Sequence, residues 1–231
     1  MQQRPVWQWN EIQQVGTDYS DAAEVGRYEK RMGEFRDLAA EDTAILTGLA
    51  LPGGSRILEI GTGSGHFARA AARVGHRVTA LDVSPAMLEY AGNRARTEGL
   101  AGIEFVHGGF LTFGGPSAAY DAVVSVVVLH HLPDLWKAVA LRNVRRLLKP
   151  GGQFLLGDMV FSSRRDSLDS QFKRFVHAVP ESIRAGAIGH VGKEYSTLDW
   201  IMEGLLTRSG FQISRLVDVQ APLLQYWCRA V

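Results

Sequence analysis

From residue 56 onward, short apolar runs alternate with amphipathic stretches in a regular rhythm. The runs at 56–60, 77–81, 103–107, 122–129 and 153–160 are rich in Val, Ile, Leu and Phe. Their apolar character extends to both faces, which predicts strands covered on each side, as in a parallel sheet. Between them, helical spacing predicts helices over 67–74, 85–98 and 135–148. Lys149-Pro150-Gly151-Gly152 closes the last of these with a cation, a proline and two glycines, each of which opposes further helix. Five consecutive βα units define an α/β, doubly wound class.

The flanks follow other patterns. Leu38, Ile45, Leu46 and Leu49 recur at helical spacing over 37–49, and Pro52-Gly53-Gly54 stops that helix. Upstream, residues 1–36 mix Trp7, Trp9, Tyr19, Tyr28 and Phe35 with charges, the composition of an arm docked on the body. Downstream, 162–194 is polar and glycine-punctuated, with a helix over 167–178. A capped helix is expected over 196–210, with Ser196 or Thr197 at its start, Gly210 past its end, and Trp200 and Met202 as packing groups. Strands at 211–219 and 224–231, joined near Pro222, predict an antiparallel edge hairpin. The division expected is an arm over 1–36 and one domain over 37–231, with a lid inserted at about 162–195.

Composition narrows the function classes. At 231 residues and 46% apolar content the chain can bury one full core, and its net charge of +1 offers no global field for nucleic acid or an anionic membrane. Cys228 is the single cysteine, so neither an intramolecular disulfide nor a cysteine zinc cluster can form. MQQRPVWQWN carries no signal-peptide apolar run, and no stretch reaches the ~20 apolar residues of a membrane span. The expectation is a cytoplasmic protein with neither nucleic acid nor membrane as partner.

The strongest chemical signal is Glu59-Ile60-Gly61-Thr62-Gly63-Ser64-Gly65, which ends the first strand and opens a helix. Glycines there allow a sharp turn and let a ligand lie on bare backbone beside unpaired helix N–H groups. Asp82 ends the next strand, where a carboxylate can accept hydrogen bonds from ribose hydroxyls. Dinucleotide folds space this turn G-x-G-x-x-G around a pyrophosphate. Here the spacing is G-x-G-x-G, and Glu59 would repel a pyrophosphate while suiting a ligand with a sulfonium and an amino group.

ILEIGTGSGHFA, VTALDVSPAMLEYA, FVHGGF, YDAVVSVVVLHHLPD and LLKPGGQFLL, in that order, resemble the motifs of class I S-adenosylmethionine methyltransferases. The closest likeness is to the ubiquinone and menaquinone C-methyltransferases and related small-molecule enzymes. The resemblance implies a seven-stranded sheet of order 3-2-1-4-5-7-6 with an antiparallel edge strand at its C-terminal end. It implies S-adenosylmethionine as donor and S-adenosylhomocysteine as product. Glu59 would orient the loop, Gly61, Thr62, Gly63 and Gly65 would form the cradle, and Asp82 would hold the ribose. Val83, Met87 and Phe110 would flank the adenine, Ser125 and Leu129 would border the methionine end, and Tyr19 and Tyr28 would close over the cofactor. One position departs from the pattern: where the family has an acidic partner for the adenine amine, this chain has Gly109.

Methyl transfer from a sulfonium needs alignment above all, and a base is optional. His130, His131 and Tyr195 are the candidates for catalysis, set against plain packing roles for both histidines and a solvated one for Tyr195. Arg164, Arg165, Lys173, Arg174, Arg184 and Lys193 in the insertion are compatible with an acidic acceptor or an ordinary solvated face. No metal site is expected, since Asp158 has no acidic or amide neighbour in sequence. The rival readings are a nucleic-acid (RNA) methyltransferase, a nicotinamide oxidoreductase, and a binding protein without catalysis.

Overall fold

Every apolar run folds as a strand. In the computed structural model, which describes residues 5–13, 22–34, 36–164, 166–220 and 222–231, β1 (Arg56–Ile60), β2 (Arg77–Asp82), β3 (Ile103–His107), β4 (Tyr120–Val126) and β5 (Leu148–Phe161) form a parallel sheet. A two-residue strand, β6 (Thr197–Leu198), lies beside Val160 and Phe161. The hairpin β7 (Phe211–Gln220) and β8 (Leu223–Ala230) closes the edge, with β8 antiparallel to β5. The order is β3-β2-β1-β4-β5-β8-β7, which is the expected 3-2-1-4-5-7-6 once β6 is set aside.

Strand pleating sends alternate residues to opposite faces, and two cores result. Ile57, Val78, Ala122 and Leu155 pack with Phe67 of α3 (His66–Arg73) and Ile45 of α2 (Leu38–Leu49). Leu58, Leu81, Val123 and Leu156 meet Leu141 of α5 (Asp134–Leu147) and Met202 of α8 (Asp199–Arg208) on the other face. Side chains cap two of the helix starts: Asp37 accepts from Ala40 N at 3.0 Å to open α2, and Ser84 accepts from Met87 N at 3.1 Å to open α4 (Pro85–Thr97).

Four local expectations are corrected. The stop sequence after α5 is already strand, because Leu148 pairs with Tyr120 across an irregular register. β4 ends at Val126, where Val127 adopts φ +59 and donates to Gly157 O at 2.7 Å; one turn of 3-10 helix then covers Leu129–His131. The helix expected from 196 begins at Asp199, since Thr197 is held in β6 and its hydroxyl donates to Asp134 at 3.2 Å. Trp200 is exposed rather than packed, while Met202 is buried as expected.

The insertion after β5 forms two helices, α6 (Leu168–Ala178) and α7 (Glu181–Lys193). The second has no helical sequence signature, because glycines interrupt its apolar spacing. In the arm, Trp9 packs on the core and meets the Tyr195 ring edge-on at 5.5 Å, and Trp7 stacks on Trp136. The helix α1 (Ala22–Gly33) follows. Tyr19, Phe35 and Arg165 lie outside the described residues. No helix among the described residues is long and apolar enough to cross a membrane.

Candidate active site

The glycine loop is shaped by what crowds it. Gly61 has φ +78, and a β-carbon there would lie 2.2 Å from a Val128 methyl, so any side chain would be excluded twice over. Gly65, at φ +74, caps α3 in tight contact with Ala91. The N–H groups of Gly61 and Thr62 donate to Leu81 O at 2.9 and 2.8 Å, joining the loop to the next strand. Arg69, almost fully buried, donates to Ser64 O at 2.6 Å and pairs with Glu98 at 3.1 Å, which fixes the far side of the loop.

Two carboxyl groups underlie this loop. Glu59 accepts from the Thr62 hydroxyl at 2.6 Å. Burial pushes its pKa up to about 8, against the Thr62 bond and with help from Asp42 and Asp82. Asp82 accepts from Gly63 N at 2.8 Å and Ser84 N at 2.9 Å. Burial raises its pKa as well, outweighing those backbone bonds. A carboxylate offers about four lone-pair positions, so acceptor capacity remains on Asp82 toward the cavity it lines.

That cavity encloses about 710 Å³, within the range of about 300–1,000 Å³ typical of small-molecule sites. One end is lined by Gly61, Gly63, Asp82, Val83, Met87, Gly109 and Phe110, with Tyr28 of α1 and Glu11 of the arm over it. The other end is walled by Val128, His130, His131, Leu132, Met159 and Glu194, and roofed by Phe175 and Ala178 of α6 and by Ile183 and Ala187 of α7.

His130 stands between two carboxylates. Its Nδ1 lies 2.5 Å from Asp158 Oδ1 and its Nε2 lies 3.4 Å from Glu194 Oε2. Burial alone would push the Asp158 carboxyl up, but His130, the Met159 N–H and Lys137 hold it below its ordinary value. The Tyr195 N–H donates to His130 O at 2.8 Å. His131 tilts against His130 at 4.3 Å between ring centres. Ligand atoms of His130, His131 and Glu194 lie within 4.8 Å of one another.

Several expected residues are not wall residues. Ser125 is fully buried with its hydroxyl donating to Ile60 O at 2.9 Å, and Leu129 is in the core. Because β4 stops early and Val127 turns with positive φ, Val126, Val127 and Val128 face the cavity instead. Glu59, Thr62 and Gly65 do not line the cavity either. Tyr195 reaches the site only through its backbone, its ring being against Trp9. Asp158, read from sequence as isolated, is the His130 partner, 28 residues away along the chain. Glu11, Arg69, Glu194 and Phe175 carried no sequence signal. The insertion's cations engage outward pairs, Arg164 with Glu203 at 2.9 Å, Lys173 with Asp169 at 2.6 Å, and Arg174 with Asp166. None of these three lines the cavity, so the acidic-acceptor reading has no support from them.

In sequence and fold the chain is similar to known methyltransferases. The methyltransferase domain family matches residues 57–152. The chain is 28% identical over 181 residues to an uncharacterized methyltransferase of Geobacillus sp. (strain WCH70), covering 78% of this chain and 81% of that one. It is 33% identical over 151 residues to the ubiquinone biosynthesis O-methyltransferase of Methylocella silvestris, covering 65% of this chain and half of the relative. A SAM-dependent methyltransferase from Aquifex aeolicus shares the fold, with a TM-score of 0.65 at 20% identity over 91% of this chain and 99% of the other. The fold and glycine-loop site define a class I α/β methyltransferase. The chain carries a methyltransferase domain over residues 57–152, and S-adenosylmethionine is its donor.

Proposed function

We propose that the protein methylates a hydroxyl of a small, largely apolar molecule. The observation that carries this reading is the single cavity running from the glycine loop and Asp82 to the histidines beneath two apolar lid helices. The donor's fit is supported by a bare-backbone cradle at Gly61 and Gly63, by the open lone pairs of Asp82 for ribose hydroxyls, and by apolar walls at Val83, Met87 and Phe110 for a purine. Tyr28 closes over this end, and Glu59 orients the loop through Thr62. The bound donor supplies a methyl group already activated by its sulfonium. What this chain adds is alignment, exclusion of water and a place for the acceptor proton.

His130 takes that proton. Asp158 fixes its ring orientation, the arrangement by which a third group positions a base, and Glu194 lies on its other nitrogen. His131 and the lid position the acceptor. The apolar roof of Phe175, Ile183 and Ala187 over the acceptor end favours a small molecule over a polyanion such as RNA.

Calorimetric titration with S-adenosylmethionine and S-adenosylhomocysteine, followed by a product assay over a panel of apolar phenols and alcohols, tests the reading. Micromolar binding of both nucleosides, its loss in Asp82→Ala, and O-methylation of panel members are expected. His130→Ala and Asp158→Asn are expected to lower kcat roughly 10²–10⁴-fold with unchanged donor affinity; full turnover in either would remove the base assignment.

A further inference from the structure

The adenine end of the cavity has a gap in its recognition chemistry. Val83, Met87 and Phe110 present apolar surface there, yet an adenine ring carries an exocyclic amine that must find an acceptor when buried. The strand-side residue at this corner, Gly109, has no side chain to provide one. A β-carbon built on Gly109 would meet Glu11 Oε2 at 2.7 Å and a Val83 methyl at 3.0 Å. The carboxylate of Glu11 therefore fills the space in which a side chain at 109 would stand, although it comes from the arm, nearly a hundred residues earlier in the chain.

Glu11 is held there by several bonds. Its carboxylate accepts from Leu111 N at 2.9 and 3.0 Å, and from Thr112 N and the Thr112 hydroxyl, each at 2.7 Å. Gln8, three residues before it, donates from Nε2 to Leu111 O at 3.3 Å, so the arm grips the same loop twice. Gly109 N in turn donates to the Thr112 hydroxyl at 3.0 Å, which ties the loop into one rigid unit. A side chain at 109 would have to displace the Glu11 carboxylate already in place.

We propose that Glu11 is the adenine-recognising acceptor of this enzyme, so that the N-terminal arm, rather than the sheet, sets specificity for the base. The proposal rests on the donor pocket assigned above. A second consequence follows from the geometry: donor binding and docking of the arm stabilise one another, since each presents a partner to the same carboxylate.

The experiment is calorimetric titration of the full chain with S-adenosylhomocysteine and with S-inosylhomocysteine, whose base carries an oxygen in place of the amine. Wild type is expected to prefer the adenine form. Glu11→Ala is expected to lose roughly 10- to 100-fold in S-adenosylhomocysteine affinity, the scale of a hydrogen bond to a charged group, and to lose the preference. Glu11→Gln, which keeps an acceptor oxygen, is expected to retain part of both. In Glu11→Ala, adding Gly109→Asp is expected to restore the preference, whereas Gly109→Asp alone weakens binding by placing two carboxylates in one space. Unchanged preference in Glu11→Ala would overturn the proposal, as would equal loss for the two ligands. Tighter binding of both would overturn it too, by showing that Glu11 occludes the pocket. Failure of wild type to bind S-adenosylhomocysteine, or undiminished binding in Asp82→Ala, would instead remove the pocket assignment on which it stands.

Discussion

Single residues in this site are held in states they would not adopt in water. Burial leaves Glu59 with a pKa near 8, from an ordinary value of 4.5, so the empty folded protein keeps a proton that the unfolded chain releases. Between about pH 4.5 and 8 the native state binds more protons than the unfolded one, and stability must fall as pH rises through that window. Denaturant titrations from pH 5 to 9 are expected to show this decline in the wild type and a flatter profile in Glu59→Gln, which keeps an acceptor for Thr62. A cationic donor bound beside this group favours its charged form. Calorimetry at pH 7 in two buffers of different ionisation enthalpy is therefore expected to detect proton release on S-adenosylmethionine binding; equal heats would place Glu59 outside the donor's field.

At the scale of elements, α6 and α7 are built in two layers. Their outer faces carry paired charges such as Lys173 with Asp169, while Phe175, Ala178, Ile183 and Ala187 face the cavity. In the function proposed above they roof the acceptor end, and on that proposal they control entry and fit rather than donor binding. Ile183→Asp is expected to raise the acceptor KM about tenfold or more, leaving S-adenosylhomocysteine affinity unchanged, whereas Lys173→Gln changes neither; a shift in donor affinity with Ile183→Asp would mean that the lid closes on both ligands. The abrupt end of β4 belongs to the same scale. Val127, a β-branched residue at φ +59, stores backbone strain of about 1–3 kcal/mol, and this turn delivers Val128 against Gly61 and His130 against Asp158.

For the whole molecule, the near-neutral charge and the one shared chamber favour a small acceptor over an extended polyanion. Passage through heparin at physiological salt is the expected behaviour, and retention would favour a nucleic-acid partner. His130, His131 and Glu194 have metal-like spacing, but the reaction proposed here uses the His130 Nε2 lone pair for a proton rather than for a metal. Turnover is therefore expected to survive dialysis against a chelator. Loss of activity restored by a divalent cation would turn the proton acceptor proposed here into a ligand set.

Through its family resemblance the sequence supplied the strand order and the donor; by itself it determined the strand rhythm and two loop features, Gly61–Gly65 and Asp82. These are legible because each depends on neighbours in the chain: pleat and helix periods, glycine at positive φ, and an acid at a strand end. It did not reveal α7, whose glycines hide its period and which lies against α6 and the cavity. It set Ser125 and Leu129 at the methionine end, whereas Val126, Val127 and Val128 line the cavity there, because the end of β4 depends on the Gly157 carbonyl of the next strand. The Asp158–His130–Glu194 line and the docking of Glu11 into the space left at Gly109 join residues 28, 64 and 98 positions apart. Only the tertiary structure could decide these, since a contact made by chain crossing leaves no periodicity in the sequence.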